Sequence, residues 1–197
     1  YSLRKERVGS LERKAKLDAE NIASDPQREL VFPSKEEVAA AFSKAGLVGS
    51  LYADFEPRVE QAAMAEAVRD AFARSENLMV EAGTGVGKSM AYLVPAVLTA
   101  RANNITVGVA TKTNALLDQL VYHELPALKE AFGSLSFAPL KGFSHYPCLR
   151  RVDKLVSEGP QVREVAGKEY SQAPCLAALL SYIEQTEYDD MDALKID

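Results

Sequence analysis

The stretch Glu81-Ala82-Gly83-Thr84-Gly85-Val86-Gly87-Lys88-Ser89 lies between an apolar run, residues 77–81, and a run with helical spacing, residues 90–98. Glycines in such a turn let backbone N–H groups point at phosphate oxygens, while a lysine ammonium reaches the β- and γ-phosphates and a hydroxyl coordinates Mg²⁺. The stretch therefore predicts a nucleoside triphosphate site, and the alternative is a glycine-rich turn that merely ends in Lys-Ser. The predicted binding residues are Gly83, Thr84, Gly85, Val86, Gly87, Lys88 and Ser89, of which Lys88 and Ser89 are also predicted to be catalytic and Ser89 to be the Mg²⁺ ligand.

One position of this loop departs from the usual pattern. Ala82 stands where the pattern has its first glycine. Because alanine is small and Gly83, Gly85 and Gly87 remain, we interpret the loop as a variant of the motif.

The order of the flanking segments predicts an α/β fold. Apolar segments alternate with helical patterns, and they occupy residues 62–72, 77–81, 90–98, 105–111, 114–132 and 136–140. The segments at 77–81, 105–111 and 136–140 are apolar without strict alternation, which is typical of strands covered on both faces. We therefore predict a P-loop NTPase parallel sheet flanked by helices, with the nucleotide at the C-terminal ends of the strands.

Composition limits the class of protein without deciding the function. The 197 residues, 47% of them apolar, are typical of one globular domain plus peripheral segments. A formal net charge of −5 argues against a generally basic nucleic-acid binder but does not exclude a local basic patch. No apolar run approaches the ~20 residues of a membrane span and no secretory signal is visible, so we predict a cytoplasmic location and no membrane partner.

The chain is predicted to contain three regions. Residues 1–32 carry scattered basic side chains, which indicates a linker or tail after a missing upstream domain, or alternatively a trimmed tag or an exposed helix. Residues 33–147 contain the nucleotide site, and a capping box formed by Ser34 and Glu37 begins a helix that we expect to end near Gly46. Residues 148–197 begin an inserted region that we expect to be irregular apart from an apolar, helix-like run at 175–183.

Four segments resemble the DinG/XPD-like family of superfamily 2 DNA helicases. The resemblance covers residues 55–96 and 111–151, and the phosphate-binding loop with its following Ala-Tyr-Leu is one of the four. It implies the RecA-like form of the fold, incomplete in this chain. It also implies ATP-driven translocation on single-stranded DNA with 5′ to 3′ polarity. ATP with Mg²⁺ is the expected cofactor, and single-stranded DNA and ATP or ADP are the expected partners.

A second segment, Phe55-Glu56-Pro57-Arg58-Val59-Glu60-Gln61, is similar to the family's adenine-recognition motif. The amide of Gln61 offers the paired donor and acceptor that an adenine edge requires. Arg58, with Tyr52 or Phe55, is expected to bracket the base. The alternative for Gln61 is a solvated helix residue.

A third segment, residues 110–120, resembles the motif that grips the phosphates of the single strand. Thr111, Lys112 and Thr113 are its predicted DNA-binding residues, since hydroxyls, a helix N-terminus and an ammonium all bind phosphate. Thr113 acting only as a helix cap is the alternative. A basic group of Lys141, Arg150 and Arg151 is expected to add weak, salt-sensitive single-strand binding.

The fourth segment, residues 140–151, resembles the family's Lys-Gly-x-x-x-Tyr-x-Cys motif, whose cysteine is the first ligand of a [4Fe-4S] cluster. The resemblance implies that Cys148 is such a ligand in a longer protein, and an ordinary thiol is the alternative. A cubane takes four ligands, whereas this chain contains two cysteines. We expect Cys175 to be a core cysteine, and His123 and His145 to be surface groups.

Catalytic parts are missing from the sequence. No apolar strand ends in Asp-Glu to hold Mg²⁺ and orient water, and no second sheet domain supplies an arginine finger. We therefore expect the chain to be the N-terminal piece of a helicase motor domain that binds nucleotide but hardly hydrolyses it. The alternatives are a non-catalytic nucleotide-binding or DNA-docking module and a small-molecule P-loop kinase.

Overall fold

The computed structural model describes residues 29–186 and 190–194, and they fall into two compact units. The helical unit comprises the described residues up to 138, and the hairpin unit comprises the described residues from 139 onward. The division falls between residues 138 and 139, whereas the sequence predicted a boundary before Cys148. That domain assignment stays a prediction, and the predicted tail at 1–32 lies outside the described residues except for its last four.

The helical unit begins with three helices, α1 (Lys35–Ala41), α2 (Leu47–Leu51) and α3 (Val59–Arg74). The capping residue of α1 is Ser34, whose side chain accepts a hydrogen bond of 3.0 Å from the N–H of Glu37. The helix ends at Ala41, earlier than predicted. Gly46 lies beyond its end, where an added Cβ would be 2.1 Å from the Ala40 carbonyl oxygen, so glycine is required by this close approach.

The second half of the unit contains α4 (Lys88–Asn103), α5 (Asn114–Gln119), a π-helical turn (Leu120–Glu124) and α6 (Leu125–Phe132). The last three segments follow one another directly and occupy the range that the sequence predicted as one helix. The π-turn precedes Pro126, which lacks an N–H and disturbs the regular hydrogen-bond ladder of a helix.

The core of this unit forms where α3 and α4 pack together. Its buried side chains come mainly from α4 and from the end of α1, with Ala65 from α3, and they include Val38, Phe42, Ala65, Met90, Leu93 and Val94. Burial of such a set holds α4 in place behind the glycine-rich loop, because each fully buried aliphatic side chain contributes about 1.5–3 kcal/mol.

The predicted parallel sheet is not present among residues 29–186 and 190–194. The segments 77–81, 105–111 and 136–140 contain no strand, and Met79 is 97% exposed. A parallel strand requires hydrogen-bonded neighbours and cover on its faces, and these three segments do not pair with one another. Neighbours in a doubly wound sheet are commonly not consecutive in sequence, so the apolar pattern alone could not show which strands were adjacent.

The hairpin unit contains α7 (Leu149–Glu158), β1 (Val162–Val165), β2 (Lys168–Ser171) and α8 (Ala173–Gln185), with 3₁₀ turns at Phe143–His145 and Met191–Ala193. Strands β1 and β2 are antiparallel and are joined by Ala166 and Gly167, both with positive φ. The prediction of an irregular region was therefore wrong for α7 and the hairpin, while the apolar run at 175–183 is helical as expected. No helix in the described part of the chain is long and apolar enough to cross a membrane.

Candidate nucleotide-binding site

The glycine-rich loop ends where α4 begins. Gly85 and Gly87 have φ values of 83° and 81°, in the left-handed region that residues with a side chain rarely adopt. Gly87 is the N-cap of α4, so Lys88 and Ser89 are the first two residues of a 16-residue helix. The N–H groups of a helix's first turn have no partner within the helix and attract anions. The start of α4 therefore has the backbone chemistry to bind an anion at the residues that the motif predicts.

Lys88 folds back onto this loop. Its ammonium donates hydrogen bonds to the carbonyl oxygens of Ala82, at 3.0 Å, and Gly83, at 2.7 Å. A Cβ added to Gly83 or Gly85 would meet no atom within 4 Å, so the space beside these residues is open. The donor set and the open space fit a phosphate group, which would compete with the carbonyl oxygens for the lysine.

Two side chains from the start of α3 hold the same loop. The Arg58 guanidinium donates to the carbonyl oxygen of Gly85, and the Gln61 amide donates to that of Gly87 at 2.9 Å. Gln61 is only 5% exposed, which contradicts the alternative of a solvated helix residue. The predicted adenine segment and the predicted phosphate loop are therefore brought together by direct hydrogen bonds.

Ser89 is partly buried in the first turn of α4. Burial raises the pKa of Tyr92, and a hydrogen bond with the Ser89 side chain opposes that rise. A hydroxyl oxygen has two lone pairs, so this contact leaves Ser89 able to accept a cation. The chemistry of Ser89 therefore fits the predicted Mg²⁺ ligand.

Two aromatic side chains lie at the start of the adenine segment, Tyr52 just before it and Phe55 as its first residue. The rings of Tyr52 and Phe55 stack with centroids 6.5 Å apart and an angle of 22° between their planes. Burial, and then the negative charge of Glu124, raises the pKa of Tyr52, although 45% of this residue is exposed. An accessible apolar ring is therefore present in the segment that was expected to bracket the base.

Of the predicted DNA-binding residues, Thr113 is the N-cap of α5. The Thr113 hydroxyl accepts a hydrogen bond of 3.3 Å from the N–H of Leu116, and the Thr111 hydroxyl donates to the Thr113 carbonyl oxygen at 3.1 Å. Lys112 is exposed. Thr113 therefore caps its helix, which is compatible with both interpretations of this segment.

Of the predicted basic group, Arg150 and Arg151 are exposed, whereas Lys141 is not. Lys141 is buried, its side chain 1% exposed, and its ammonium forms ion pairs with Asp190 and, at 3.1 Å, with Asp192. Asp192 also lies 2.9 Å from Nδ1 of His145, whose hydrogen bond is the main cause that lowers the pKa of Asp192. Lys141 is thus unable to contact a phosphate, and that part of the prediction was wrong. The sequence carries no signal for this cluster, because its acids lie about 50 residues away.

The two cysteines do not form a cluster site. Cys148 and Cys175 are both exposed, so the expectation of a core cysteine at 175 was wrong. Among the described residues, no three histidine, cysteine or acidic side chains gather to hold a metal ion. A [4Fe-4S] cluster needs four ligands, so these residues do not fit the group by themselves.

A glycine-rich turn at the start of a buried helix, held from a second helix, is typical of proteins that bind nucleotides at a phosphate-binding loop. No protein-family model matches the chain. The ATP-dependent DNA helicase YoaA of Haemophilus influenzae is 38% identical over 126 residues, 64% of this chain and 19% of that protein. The ATP-dependent helicase DinG of Mycobacterium tuberculosis is 40% identical over 124 residues, 60% of this chain and 19% of its own length.

The name DinG also belongs to a relative with a different named activity. The 3′-5′ exonuclease DinG of Bacillus subtilis is 31% identical over 150 residues, 76% of this chain and 15% of that protein. The resemblance inferred from the motifs is confirmed, and the chain is homologous to the DinG-like helicases. It spans between 15% and 19% of the length of these relatives.

Proposed function

We propose that this chain is the ATP-binding segment of an ATP-dependent DNA helicase. The observation that carries the proposal is the pair of hydrogen bonds from Arg58 and Gln61 to the carbonyl oxygens of Gly85 and Gly87. These bonds join the adenine segment to the phosphate loop, so one nucleotide would contact both. The names of the curated relatives support the reaction class.

Each loop residue has a proposed role. Lys88 leaves the Ala82 and Gly83 carbonyl oxygens for the β- and γ-phosphates, while the backbone from Gly83 to Gly87 binds phosphate oxygens. Ser89 would hold Mg²⁺, which supplies charge neutralisation between the phosphates.

Gln61 is proposed to select adenine. A glutamine amide has two N–H donors and one oxygen acceptor. One N–H of Gln61 donates to the Gly87 carbonyl oxygen. The second donor and the oxygen are the pair that an adenine edge requires. Gln61 would thus hold the loop and read the base at the same time, with Arg58 and the Tyr52–Phe55 pair beside it.

DNA is proposed to bind separately from ATP. Thr111, Lys112 and the N-terminus of α5 at Thr113 would contact phosphates of a single strand, and the 5′ to 3′ polarity follows from the family resemblance alone. The apolar segments 77–81, 105–111 and 136–140 are proposed to form strands of a RecA-like parallel sheet in the whole protein.

The chain itself is proposed to bind nucleotide without appreciable hydrolysis. Phosphoryl transfer relies on positioned acids and cations, and the sequence contains no strand ending in Asp-Glu.

In the whole protein, Cys148 is proposed to supply one thiolate to a [4Fe-4S] cluster.

Calorimetry with ATP and GTP tests the proposal. Lys88→Ala removes the charged partner of the phosphates and should weaken ATP binding by about 1.5–3 kcal/mol. Lys129→Ala, at an exposed lysine on α6, is the matched control and should bind as the unmutated chain does. Gln61→Ala should weaken ATP binding less and remove the preference for ATP over GTP.

Three results would count against the proposal. Equal affinity of the unmutated chain for ATP and GTP would refute the role of Gln61. DNA-stimulated ATP hydrolysis by the chain alone would refute the statement that the chain lacks the catalytic acid. Transfer of phosphate from ATP to a small molecule would support the kinase alternative instead.

A further inference from the structure

Phe143 presents its ring to solvent on a turn whose ends are hydrogen-bonded. The residue is 93% exposed and begins the 3₁₀ turn Phe143–His145. The turn is closed by hydrogen bonds from His145 N–H to the Gly142 carbonyl oxygen, at 2.9 Å, and from Tyr146 N–H to that of Phe143, at 3.2 Å. Such exposure leaves the ring without a packing role among the described residues of the hairpin unit.

The turn is anchored by the buried lysine next to it. The Lys141 N–H donates to the Tyr146 hydroxyl oxygen at 2.7 Å, and the Lys141 ammonium is paired with Asp190 and Asp192. Asp192 also contacts His145 within the turn itself. Ion pairs and hydrogen bonds thus hold the backbone on both sides of Phe143, and they restrict the directions in which the ring can project.

Cations follow the turn on α7. Arg150, Arg151 and Lys154 are exposed, and Lys154 is within one helical turn of both arginines. Among the described residues, neither arginine forms an ion pair, whereas Lys154 lies 3.6 Å from Glu158. Arg150 is seven positions after Phe143, so their backbones lie within about 25 Å of each other.

We propose that the Phe143 ring stacks on a base of single-stranded DNA while Arg150 and Arg151 bind its phosphates. Aromatic rings stack on any unpaired base, and exposed arginines supply the charge complementarity for the backbone. Single strands are favoured over duplex because the faces of paired bases are already stacked on one another. The choice of DNA rests on the proposed function, but the surface lies in the hairpin unit and uses none of the ATP-binding residues.

A tryptophan reporter tests the stacking directly. The chain contains no tryptophan, so Phe143→Trp creates a single fluorophore at the proposed contact. We expect saturable quenching by oligothymidylate at low salt and much weaker quenching by an abasic strand of the same length. Tyr170→Trp is the matched control, because Tyr170 is the exposed aromatic residue on β2, and its fluorescence should not respond.

Affinity measurements complete the test. In fluorescence anisotropy, Phe143→Ala should weaken binding of the oligonucleotide at least about fivefold, the loss typical of one stacked base. Arg150→Ala and Arg151→Ala should each lower the salt slope by about 0.7. Arg163→Ala, which removes an exposed arginine of β1, should leave the slope unchanged.

Several results would overturn the inference. An absence of quenching in the Phe143→Trp variant would do so, and so would equal binding of abasic and ordinary strands, which would mean that charge alone is recognised. If Lys112→Ala abolished DNA binding while the Phe143 and arginine variants still bound DNA, the DNA-binding surface would lie in the helical unit. A fluorescence response of the Phe143→Trp variant to an apolar peptide, without a response to DNA, would assign the surface to a protein partner.

Calorimetry with ATP on the same variants separates the two proposals. Intact ATP binding without quenching would refute this inference alone. Quenching by DNA in a chain that does not bind ATP would refute the proposed function and leave the surface standing. Far-UV circular dichroism checks that each variant is folded, and the exposure of Phe143 makes loss of folding unexpected.

Discussion

The substitution Gly87→Ala tests how the adenine segment holds the phosphate loop. An added Cβ would be 2.1 Å from Nε2 of Gln61, and the residue's φ of 81° is unfavourable for alanine. The left-handed backbone costs about 1–2 kcal/mol. Displacing the Gln61 amide removes a hydrogen bond worth about 1 kcal/mol. We therefore expect Gly87→Ala to lower the free energy of unfolding by about 2–3 kcal/mol.

A double-mutant cycle separates these two costs. Gln61→Ala alone should lose the hydrogen bond, about 1 kcal/mol, and it should also remove the atom that the new Cβ would meet. In that background Gly87→Ala should cost only the backbone strain, so the double variant should be about 1 kcal/mol more stable than the sum of the single changes predicts. Urea unfolding followed by far-UV circular dichroism measures all four proteins.

Gly83→Ala is the matched control in the same loop. Its added Cβ would meet nothing within 4 Å and its φ is not positive, so its free energy of unfolding should change by less than about 0.5 kcal/mol. Additive effects of Gly87→Ala and Gln61→Ala would refute the direct contact between the two segments. A Gly83→Ala variant as unstable as Gly87→Ala would refute the role assigned to the backbone conformation.

Further predictions concern other parts of the chain. Ala166 has a φ of 53° in the two-residue hairpin turn, so Ala166→Gly should slow amide hydrogen exchange in β1 and β2 by about two- to fivefold, and Ala166→Val should speed it. Hydrogen bonds, first from Lys35 and then from Arg69, lower the pKa of Asp70. This carboxylate therefore stabilises the fold above the unfolded-state pKa of about 4, and the contribution is lost as pH falls through the lowered pKa. The stability difference between the unmutated chain and Asp70→Asn should accordingly shrink in urea titrations below about pH 4, and a constant difference would contradict the pairing. The whole protein, purified without oxygen, should be brown and should lose its visible absorbance with Cys148→Ser, and an iron-free whole protein would refute the ligand proposal.

Local sequence patterns anticipated the helices of the helical unit well. Ser34 caps α1 as its spacing to Glu37 predicted, and the segments assigned to α3, α4 and the α5–α6 region are helical. These features depend on caps, on spacing and on proline or glycine, which are readable over a few residues. The end of α1 was predicted too late, because the helix ends at Ala41 and Gly46 lies beyond it, in a turn where an added Cβ would be 2.1 Å from the Ala40 carbonyl oxygen.

Contacts between residues that are distant in the chain could not be predicted from local sequence patterns. The burial of Lys141 depends on Asp190 and Asp192, and a lysine followed by glycine in a basic stretch gives no sign of partners that far along the chain. The apolar segments at 77–81 and 105–111 have the composition of buried strands, yet they are unpaired in the described residues. Composition expresses a preference for burial, whereas pairing depends on which backbone lies alongside.

The sequence by itself determined the glycine-rich loop, the helix that follows it and the relation to DinG-like helicases. Those features depend on residue types at short spacing, since glycine permits the left-handed turn and the lysine and serine must follow it directly. Only the tertiary structure decided that Arg58 and Gln61 donate hydrogen bonds to the carbonyl oxygens of the loop. It also decided that Lys141 is buried in an ion-pair cluster, while Phe143 is exposed to solvent. Hydrogen bonds and burial join residues that are distant in the chain, so their partners are set by how the helices and turns pack.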